Sequence, residues 1–585
     1  MILAKIKNSY LTLVKEAVLS LYPDSQQVNH LITETPKNPA WGDFAIPLFP
    51  IVKEAGIAPN ILAQKLIDIL KDKSNLKAQA TGAYLNVFAD RAATMREILS
   101  QISSQGSAFY RRTELSGQKI MLEFSSPNTN KPLHLGHMRN NCLGESLSRI
   151  LKNCGAEVFK VSIVNDRGVH ICKSMLAYEK FGDGATPESL NMKGDHFVGD
   201  FYVKFSNWAK EDPKAEEMAQ KTLIQWEAGD AHTLDLWKKM NGWALQGMQE
   251  TYDKTGISFD KFYFESNTYK LGRDIILQGL KDGIFFKAED GSIRLDISEL
   301  DQDNSEDEEP SNKVFLRSDG TSIYISQDLG TAVERHKDFP FDRLIYVVAN
   351  EQQRHFQILF YALKKLGFPW ANALYHLSYG MVNLPDGKMK SREGTVVDAD
   401  DLIATLAAMA QEEIANKDRS EQVDQDAALK IALAAIHYYL LQVSPVKDMS
   451  FNPKESLSFT GNTGPYLQYT IARAHSLLNK DEAAAALGRT LNSQCLELDE
   501  EWQIIKLIDE TSETILQAAN EFAPSLLANK LYDVAKTFNK FYHDTMILSQ
   551  ENADLVTARC YIVQSVEICL RAGLYLLNIP VLDHM

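Results

Sequence analysis

An apolar run, a polar turn that contains prolines and a helical pattern follow one another near residue 120 of this 585-residue chain. The apolar run covers residues 120–124, and the helical pattern repeats apolar side chains on one face at Leu143, Leu147, Ile150 and Leu151. A strand, a loop and a helix N-terminus in this order bring backbone N–H groups and the positive end of a helix dipole to one place. The pattern therefore predicts a phosphate-binding loop.

Further apolar runs predict buried strands of the same sheet at residues 158–164, 344–349 and 374–384, and residues 324–328 are expected to close another strand. Polar residues follow two of these runs, at 165–168 and at 350–355. Open parallel sheets bind ligands at the carboxyl ends of their strands, so we expect these polar residues to line a site.

The chain on either side of this sheet has other patterns. The pattern of residues 1–21 predicts an amphipathic helix rather than a signal peptide. The patterns of residues 61–70 and 82–88 predict a further helix and a strand. Residues from about 185 to 300 predict a mostly helical insertion with an aromatic core, and the chain beyond about 400 is helical. The predicted fold class is α/β: a Rossmann-type parallel-sheet domain with a helical insertion, a small N-terminal α/β domain and a C-terminal α-helical bundle.

Composition excludes several classes of protein. With 45% hydrophobic and 24% charged residues the chain can bury a large core, and its net charge of −16 argues against nucleic-acid binding by the whole surface, though not by one basic face. No apolar run is long enough to span a membrane, so no membrane contact is expected. The six cysteines form no CxxC pair, which predicts neither a zinc ribbon nor a disulfide framework, and a cytoplasmic location follows.

Two segments carry candidate chemistry for phosphate. His134 and His137 flank Gly136, whose missing side chain lets a ligand approach the main chain. A second loop, residues 385–394, follows the last predicted strand and holds Lys388, Met389 and Lys390. A loop rich in cations at this place can close on a triphosphate, although an ordinary solvated basic turn has the same composition.

The N-terminal domain carries aromatic residues beside amide and carboxylate groups, at Trp41, Asp43, Phe44 and Asn86. Exposed rings of this kind can stack on unpaired bases. Burial in the core of a small domain explains the same rings, and the sequence favours that interpretation.

Together the 123–137 stretch, the Lys388-Met389-Lys390 loop and the helical C-terminal region resemble those of a class I aminoacyl-tRNA synthetase, and more narrowly of arginyl-tRNA synthetase, over nearly the full chain. The resemblance implies three domains: residues 1–112 contact the tRNA D-loop, 113–425 form the catalytic domain, and 426–585 bind the anticodon. The tRNA-binding residues that it implies are Trp41, Asp43, Phe44, Asn86 and Tyr469.

For the amino acid, the resemblance implies that Glu123 and Asp328 hold the arginine side chain, that Tyr324 closes over it, and that Asn128 and Gln352 engage the backbone of the substrate. A planar guanidinium with five donors requires rigid carboxylates and neutral acceptors, which these side chains supply.

For ATP, the resemblance implies that His134 and His137 donate to the phosphates, that Gly136 and Met389 pack against the nucleotide, and that Lys388 and Lys390 hold the pyrophosphate. Magnesium would enter with ATP, and no protein-bound zinc or other metal is expected. The implied partners are L-arginine, ATP and arginine tRNA, and the family's usual state is a monomer.

One position departs from the family pattern. The second signature usually reads Lys-Met-Ser-Lys-Ser, whereas Ser391 stands here at its second lysine. Many arginyl enzymes lack that lysine, and Lys131 resembles their substitute, while Lys390 remains the rival candidate. His170 stands where many relatives have Gln.

Other functions share some of these motifs. A lysyl, cysteinyl or methionyl synthetase has the same two signatures, but the last two would need zinc-ligand cysteines, and two acidic pocket candidates favour arginine over lysine. A catalytically silent tRNA-binding paralogue would not need His134, Gly136, His137 and Lys388. A small nucleotidyltransferase of the same superfamily would lack the helical C-terminal region.

Overall fold

The computed structural model describes residues 1–36, 38–301, 311–385, 397–417, 424–549 and 551–585. These residues form a small N-terminal α/β region, a central parallel sheet with its insertion, and a C-terminal helical bundle. This architecture confirms the predicted fold class. In the described ranges, no helix has the length and the apolar character that a membrane crossing requires.

The N-terminal region packs helices against a three-stranded antiparallel sheet, in which the third strand along the chain lies between the first and the second. Its elements are α1 (Ile2–Leu21), β1 (Phe44–Pro47), α2 (Phe49–Ala55), α3 (Pro59–Leu70), β2 (Lys77–Thr81), β3 (Tyr84–Phe88) and α4 (Arg91–Gln105). Apolar faces of these elements meet in a core that contains Tyr10, Val14, Phe44, Leu66 and Leu85. The predicted helix at 61–70 and strand at 82–88 are confirmed.

The central sheet has five parallel strands in the order β11-β10-β4-β5-β6. Its strands are β4 (Lys119–Glu123), β5 (Glu157–Val164), β6 (Lys261–Phe264), β10 (Arg343–Ala349) and β11 (Leu374–Tyr379), and the helices beside it are α5 (Leu135–Asn153), α6 (Val169–Phe181), α13 (Tyr324–Asp338) and α14 (Gln353–Lys365). Because β4 lies in the middle with helices on both faces, its apolar run is buried on both sides. The strand order reverses at β4, and a ligand crevice is expected at such a reversal.

The insertion is helical only in part. It holds α7 (Gly194–Glu211), α8 (Lys214–Ala228), α9 (Ala231–Thr255), α10 (Glu265–Thr268), α11 (Leu271–Lys281) and α12 (Ser298–Asp301), and an antiparallel sheet of β7 (Phe286–Lys287), β8 (Ile293–Asp296) and β9 (Asn312–Leu316). Phe197, Phe205 and Trp208 form the core between its helices, as expected. The range predicted as insertion also includes β6, which is the edge strand of the main sheet.

The C-terminal part of the chain consists of helices joined by short connections. Its elements are α15 (Ala399–Lys417), α16 (Gln425–Leu441), α17 (Pro453–Ser456), α18 (Gly464–Leu478), α19 (Asp481–Leu487), α20 (Asp499–Asn520), α21 (Pro524–Asp544) and α22 (Ala553–Leu576), with a parallel pair of β12 (Val382–Asn383) and β13 (Met449–Ser450) at its base. Thr463 caps α18 by accepting a hydrogen bond from the Tyr466 amide at 3.3 Å, which explains the helix start in the Gly-rich segment.

The N-terminal region is fastened to this bundle through α20. The buried carboxylate of Asp509 accepts hydrogen bonds from the amides of Ile2 and Leu3 at 3.0 and 2.9 Å, and so caps α1. The indole Nε1 of Trp502 donates to Asp43 at 2.8 Å. The two ends of the chain therefore form one packed unit.

Two predicted strands differ in the structure. Residues 324–328 form the first turns of α13 and not the end of a strand. The predicted strand at 374–384 ends at Tyr379 and resumes as the short β12. Gly380 separates the two because the chain there lies against residues 447 and 448. The boundaries at 112/113 and 425/426 stay predictions.

Candidate active site

The two histidines of the phosphate-binding loop form the amino end of α5. Nδ1 of His134 accepts a hydrogen bond from the Gly136 amide at 3.2 Å, and Nδ1 of His137 accepts one from the His134 amide at 3.2 Å. Because each Nδ1 is an acceptor, the proton of each neutral ring lies on Nε2. The loop thus has two Nε2–H donors beside a helix N-terminus, a combination suited to phosphate oxygens.

Both rings are neutral at neutral pH. Burial lowers the pKa of His134 to about 4, and the nearby Lys131 ammonium adds to this shift. Burial, His134 and Lys131 lower the pKa of His137 well below its ordinary value. The charge that this loop offers to phosphate therefore comes from Lys131, while the two histidines act as neutral donors.

The turn between β4 and α5 has an unusual backbone. Ser125 and Ser126 both have positive φ, at 77° and 50°, in the left-handed region that side chains other than glycine rarely occupy. Asn140 and Tyr252 hold Ser125, through its amide at 2.5 Å and its hydroxyl at 2.7 Å. Strained turns of this kind concentrate at functional sites, where the surrounding structure enforces them.

A cavity of about 420 Å³ opens beside this turn, at the carboxyl ends of β4, β5 and β6. Its lining residues are Asn128, Ile163, Asn165, His170, Glu265, Tyr324, Gln327, Asp328, Gln352 and His355. Four of the five predicted arginine-binding residues, Asn128, Tyr324, Asp328 and Gln352, therefore lie together. A cavity of this size accommodates one amino acid.

Asp328 and Tyr324 lie one turn apart at the start of α13. The Asp328 carboxylate is bonded to Nε2 of His355 at 2.6 Å, which fixes its orientation. Tyr324 is 71% exposed at the edge of the cavity. Its ring is thus free of the core and can cover a bound ligand.

Glu123 does not line the cavity, which corrects its predicted direct role. Its carboxylate is buried and forms an ion pair with Arg335 of α13. Burial alone would lower the pKa of Arg335, but Glu123 together with Tyr346, Tyr263 and Asp328 outweighs burial, and the pKa is raised. Since Arg335 already balances the charge of Glu123, Glu123 is not available as a free anion for a substrate.

Glu265 is a cavity residue that the sequence did not reveal. It follows β6 directly, and burial raises its pKa to about 7, with the Arg167 guanidinium 3.9 Å away opposing the shift and Asp166 and Asp328 adding to it. Its position after a buried strand is the available signal, but the sequence pattern predicts a helical insertion there and does not reveal β6.

His170 also faces the cavity, from the first turn of α6. Burial lowers its pKa to about 4, and Lys131 and Lys173 add to the shift. His170, which stands where many relatives have Gln, is therefore a neutral imidazole in the site.

The predicted ATP contacts Lys388, Met389 and Lys390 lie outside the described residues. The chain that follows them is joined to the histidine loop, because Leu135 donates to the carbonyl of Val397 at 2.9 Å and Ala399 donates to that of Leu133 at 3.0 Å. Asp398 thus pairs with His134 in a short antiparallel bridge.

A cluster of possible metal ligands lies behind this bridge. In the described part of the chain, Asp195, His196 and Asp400 are the one group of such side chains close enough to hold an ion. Lys193 already occupies this place, since its ammonium contacts Asp195 at 2.9 Å and Asp400 at 2.7 Å. The donor set is therefore balanced by a lysine, and we assign no metal to it.

The predicted tRNA contacts differ in exposure. Trp41 is 49% exposed, whereas Asp43, Phe44 and Asn86 are buried. Phe44 packs in the N-terminal core, and Asp43 accepts from Trp502, so these side chains are not presented to a base. Phe44 is therefore a core residue. Of the four predicted contacts in the N-terminal region, Trp41 alone is exposed, which corrects the prediction for Asp43, Phe44 and Asn86. Tyr469 is half-buried and accepts a hydrogen bond from Arg473 at 2.5 Å.

Three family models match the chain. The model for tRNA synthetases class I (R), catalytic domain, matches residues 98–453. The DALR anticodon binding domain matches residues 467–585, and the arginyl tRNA synthetase N terminal domain matches residues 8–89.

Curated relatives and solved structures agree with these models. The arginine–tRNA ligase of Treponema denticola is 50% identical, over 99% of this chain and 100% of the relative, and that of Borrelia hermsii is 46% identical over 98% and 97%. The Thermus thermophilus arginyl-tRNA synthetase structure has a TM-score of 0.80 at 25% identity, covering 99% of this chain and 100% of that one. The Plasmodium falciparum arginyl-tRNA synthetase, at 19% identity, TM-score 0.75 and 99% of both chains, shares the fold. With these matches across its whole length, the chain belongs to the arginyl-tRNA synthetase family of class I aminoacyl-tRNA synthetases.

Proposed function

We propose how this arginine–tRNA ligase activates L-arginine with ATP and transfers it to arginine tRNA. The observation that carries the proposal is the placement of an acidic cavity directly beside a loop of neutral donors. Asp328 and Glu265 line the cavity together with Asn128, which belongs to the loop between β4 and α5. His134 and His137 lie where that loop ends and α5 begins. A cationic amino acid and a nucleotide phosphate therefore meet at the carboxyl edge of one sheet.

Arginine binding uses the side chains around the cavity. Asp328, held by His355, pairs with the guanidinium, and Tyr324 covers it. Asn128 and Gln352 hold the α-amino and carboxylate groups. Glu123 acts indirectly, because its ion pair with Arg335 fixes α13 against β4. A pocket that desolvates these charged groups rejects amino acids that leave them unpaired.

Glu265 supplies the second carboxylate of the cavity. Its pKa of about 7 means that it is partly protonated before arginine binds. A substrate cation nearby favours the ionised form, so arginine binding releases a proton.

Activation follows in the adjoining loop. An oxygen of the arginine carboxylate attacks the α-phosphorus of ATP, the bond to the bridging oxygen breaks, and pyrophosphate leaves. His134 and His137 donate through Nε2 to the phosphates, and Gly136 allows the nucleoside to approach the main chain. Lys131, or in its place Lys390, meets the charge that develops as pyrophosphate leaves, with Lys388 and Met389 also contacting ATP. Magnesium arrives with ATP and balances phosphate charge.

Transfer completes the reaction when a hydroxyl of the terminal tRNA ribose attacks the arginyl carbonyl and AMP leaves. Trp41 is the proposed D-loop contact and Tyr469 the proposed contact of the bundle. The chain is proposed to act as a monomer in the cytoplasm.

ATP–pyrophosphate exchange with each amino acid, with and without arginine tRNA, tests this proposal. We expect exchange with arginine alone among the amino acids, and only when tRNA is present. Robust exchange with lysine or cysteine would favour another class I synthetase. No exchange together with retained tRNA binding would identify a silent paralogue.

A further inference from the structure

Arg139 lies two residues after His137 in α5 and is fully buried, with 0% of its surface exposed. Its guanidinium donates to five main-chain carbonyls: Gly380 at 2.6 Å, Met381 at 3.2 Å, Ser444 at 3.4 Å, Pro445 at 3.2 Å and Lys447 at 2.8 Å. A buried guanidinium usually pairs with a carboxylate. Here its acceptors are backbone oxygens of two separate segments, so the side chain fixes main-chain positions.

These two segments lead to different parts of the molecule. Gly380 and Met381 connect β11 to β12, upstream of Lys388. Residues 444–447 follow α16 and so form the base of the C-terminal bundle. Arg139 is therefore a junction between the histidine loop, the edge of the nucleotide-binding sheet and the bundle.

The two segments also touch each other directly. The Gly380 amide donates to the Pro445 carbonyl at 2.9 Å, and the Met381 amide donates to Asp448 at 2.7 Å. A Cβ added at Gly380 would lie 2.4 Å from the carbonyl carbon of Lys447. This packing is too close for any side chain at position 380, so the junction has one tightly defined geometry.

We propose that Arg139 is a positioning residue for adenylate formation, which holds the edge strand and the base of the bundle in register with the histidine loop. The inference rests on the activity described above. Because α5 begins at the phosphate donors, a shift of the segments relative to α5 misplaces ATP and not arginine. Arg139 does not line the arginine cavity, so arginine binding is unaffected.

Single-turnover adenylate formation in the full-length enzyme with tRNA tests this role. Arg139→Met should lower the rate roughly 10²-fold, the loss expected for a misplacement of about 1 Å. The KM for arginine should stay near the wild-type value. Arg139→Lys keeps the charge and some donors and should recover part of the rate.

Arg149 provides the matched control. It lies on the same helix and donates to the carbonyls of Tyr575 and Gly256 and to Glu145, at the end remote from the histidines. Arg149→Met should leave the rate of adenylate formation near that of the wild type. Equal rate losses in Arg139→Met and Arg149→Met would overturn the proposal, as would a wild-type rate in Arg139→Met.

Gly380→Ala tests the same junction if Arg139→Met does not fold. It should slow adenylate formation without changing the KM for arginine, because the added methyl group separates the two segments. A wild-type rate in Gly380→Ala would contradict the proposal. A wild-type enzyme that performs no exchange would instead contradict the proposed function, so the two failures are distinguishable.

Discussion

Trp502 in the C-terminal bundle donates its indole N–H to the Asp43 carboxylate of the N-terminal region, across 2.8 Å and 459 residues of sequence. Asp43 also accepts from the Ala89 amide at 2.9 Å and lies 3.3 Å from Arg91. The residue predicted to contact RNA thus joins the two regions on which tRNA recognition is proposed to depend.

Asp43→Ala should therefore weaken tRNA recognition without changing the chemistry. It leaves the Trp502 and Ala89 donors buried and unpaired, which costs roughly 1–3 kcal/mol for each donor. We expect a higher KM for tRNA, an unchanged KM for arginine, and a lower free energy of unfolding in denaturant titration. Trp502→Phe is the matched variant, because it removes the indole donor and keeps an aromatic ring at this buried position. If the effects of the two substitutions simply add in the double variant, Asp43 and Trp502 are not coupled in this way.

Asp328→Asn should raise the KM for arginine and spare that for ATP. Loss of a charged partner costs about 2 kcal/mol here, the low end for ion pairs, because the Asp328 side chain is 34% exposed. This corresponds to a KM increase of roughly 30-fold. Asp338→Asn, at the far end of the same helix, is the control and should change neither constant. Equal increases in both constants for Asp328→Asn would make its role structural.

Glu265 makes arginine binding depend on pH. Its pKa of about 7 in the free enzyme falls when a cation binds beside it, so the KM for arginine should decrease as pH rises through about 7. The raised pKa also stabilises the free enzyme at low pH, and this stabilisation is lost as pH rises through about 7. Glu265→Gln should remove both dependences. Steady-state kinetics and thermal unfolding at several pH values measure them, and a Glu265→Gln profile that matches the wild type would contradict the assignment.

Lys131 and Lys390 compete for the role of the missing signature lysine. If Lys131 meets the developing charge, Lys131→Ala should slow activation by roughly 10²–10³ with little change in ATP affinity. Ser391→Lys in that background should restore part of the rate. Single-turnover rates for Lys131→Ala and Lys390→Ala decide the matter, since a slow rate in the second variant alone assigns the role to Lys390.

Periodicity and motif order predicted much of the architecture. Local patterns predict the strand before the histidine loop, the helix after it and the three-part organisation. The structure confirms all three. The four cavity residues predicted by resemblance also lie together. A local pattern is sufficient to predict an element where the spacing of its buried residues follows the period of its secondary structure.

Partners distant in sequence could not be predicted in the same way. Glu123 is paired with Arg335, and Asp43 with Trp502, because packing brings together segments that share no pattern. Glu265 was missed because a four-residue strand inside a helical stretch carries too little periodicity to be recognised. The sequence predicts a strand at the start of α13 for a similar reason, since five residues do not distinguish the helical period from the strand period.

The capping of α1 by Asp509 constrains the order in which the molecule can be completed on the ribosome. The amides of Ile2 and Leu3 are synthesised before the carboxylate that they require, which is added 507 residues after Ile2. At usual rates of translation this interval lasts roughly 25–100 s. Helix α1 therefore reaches these native contacts only after α20 has been made, so α1 and α20 dock late in the synthesis of the chain or after it.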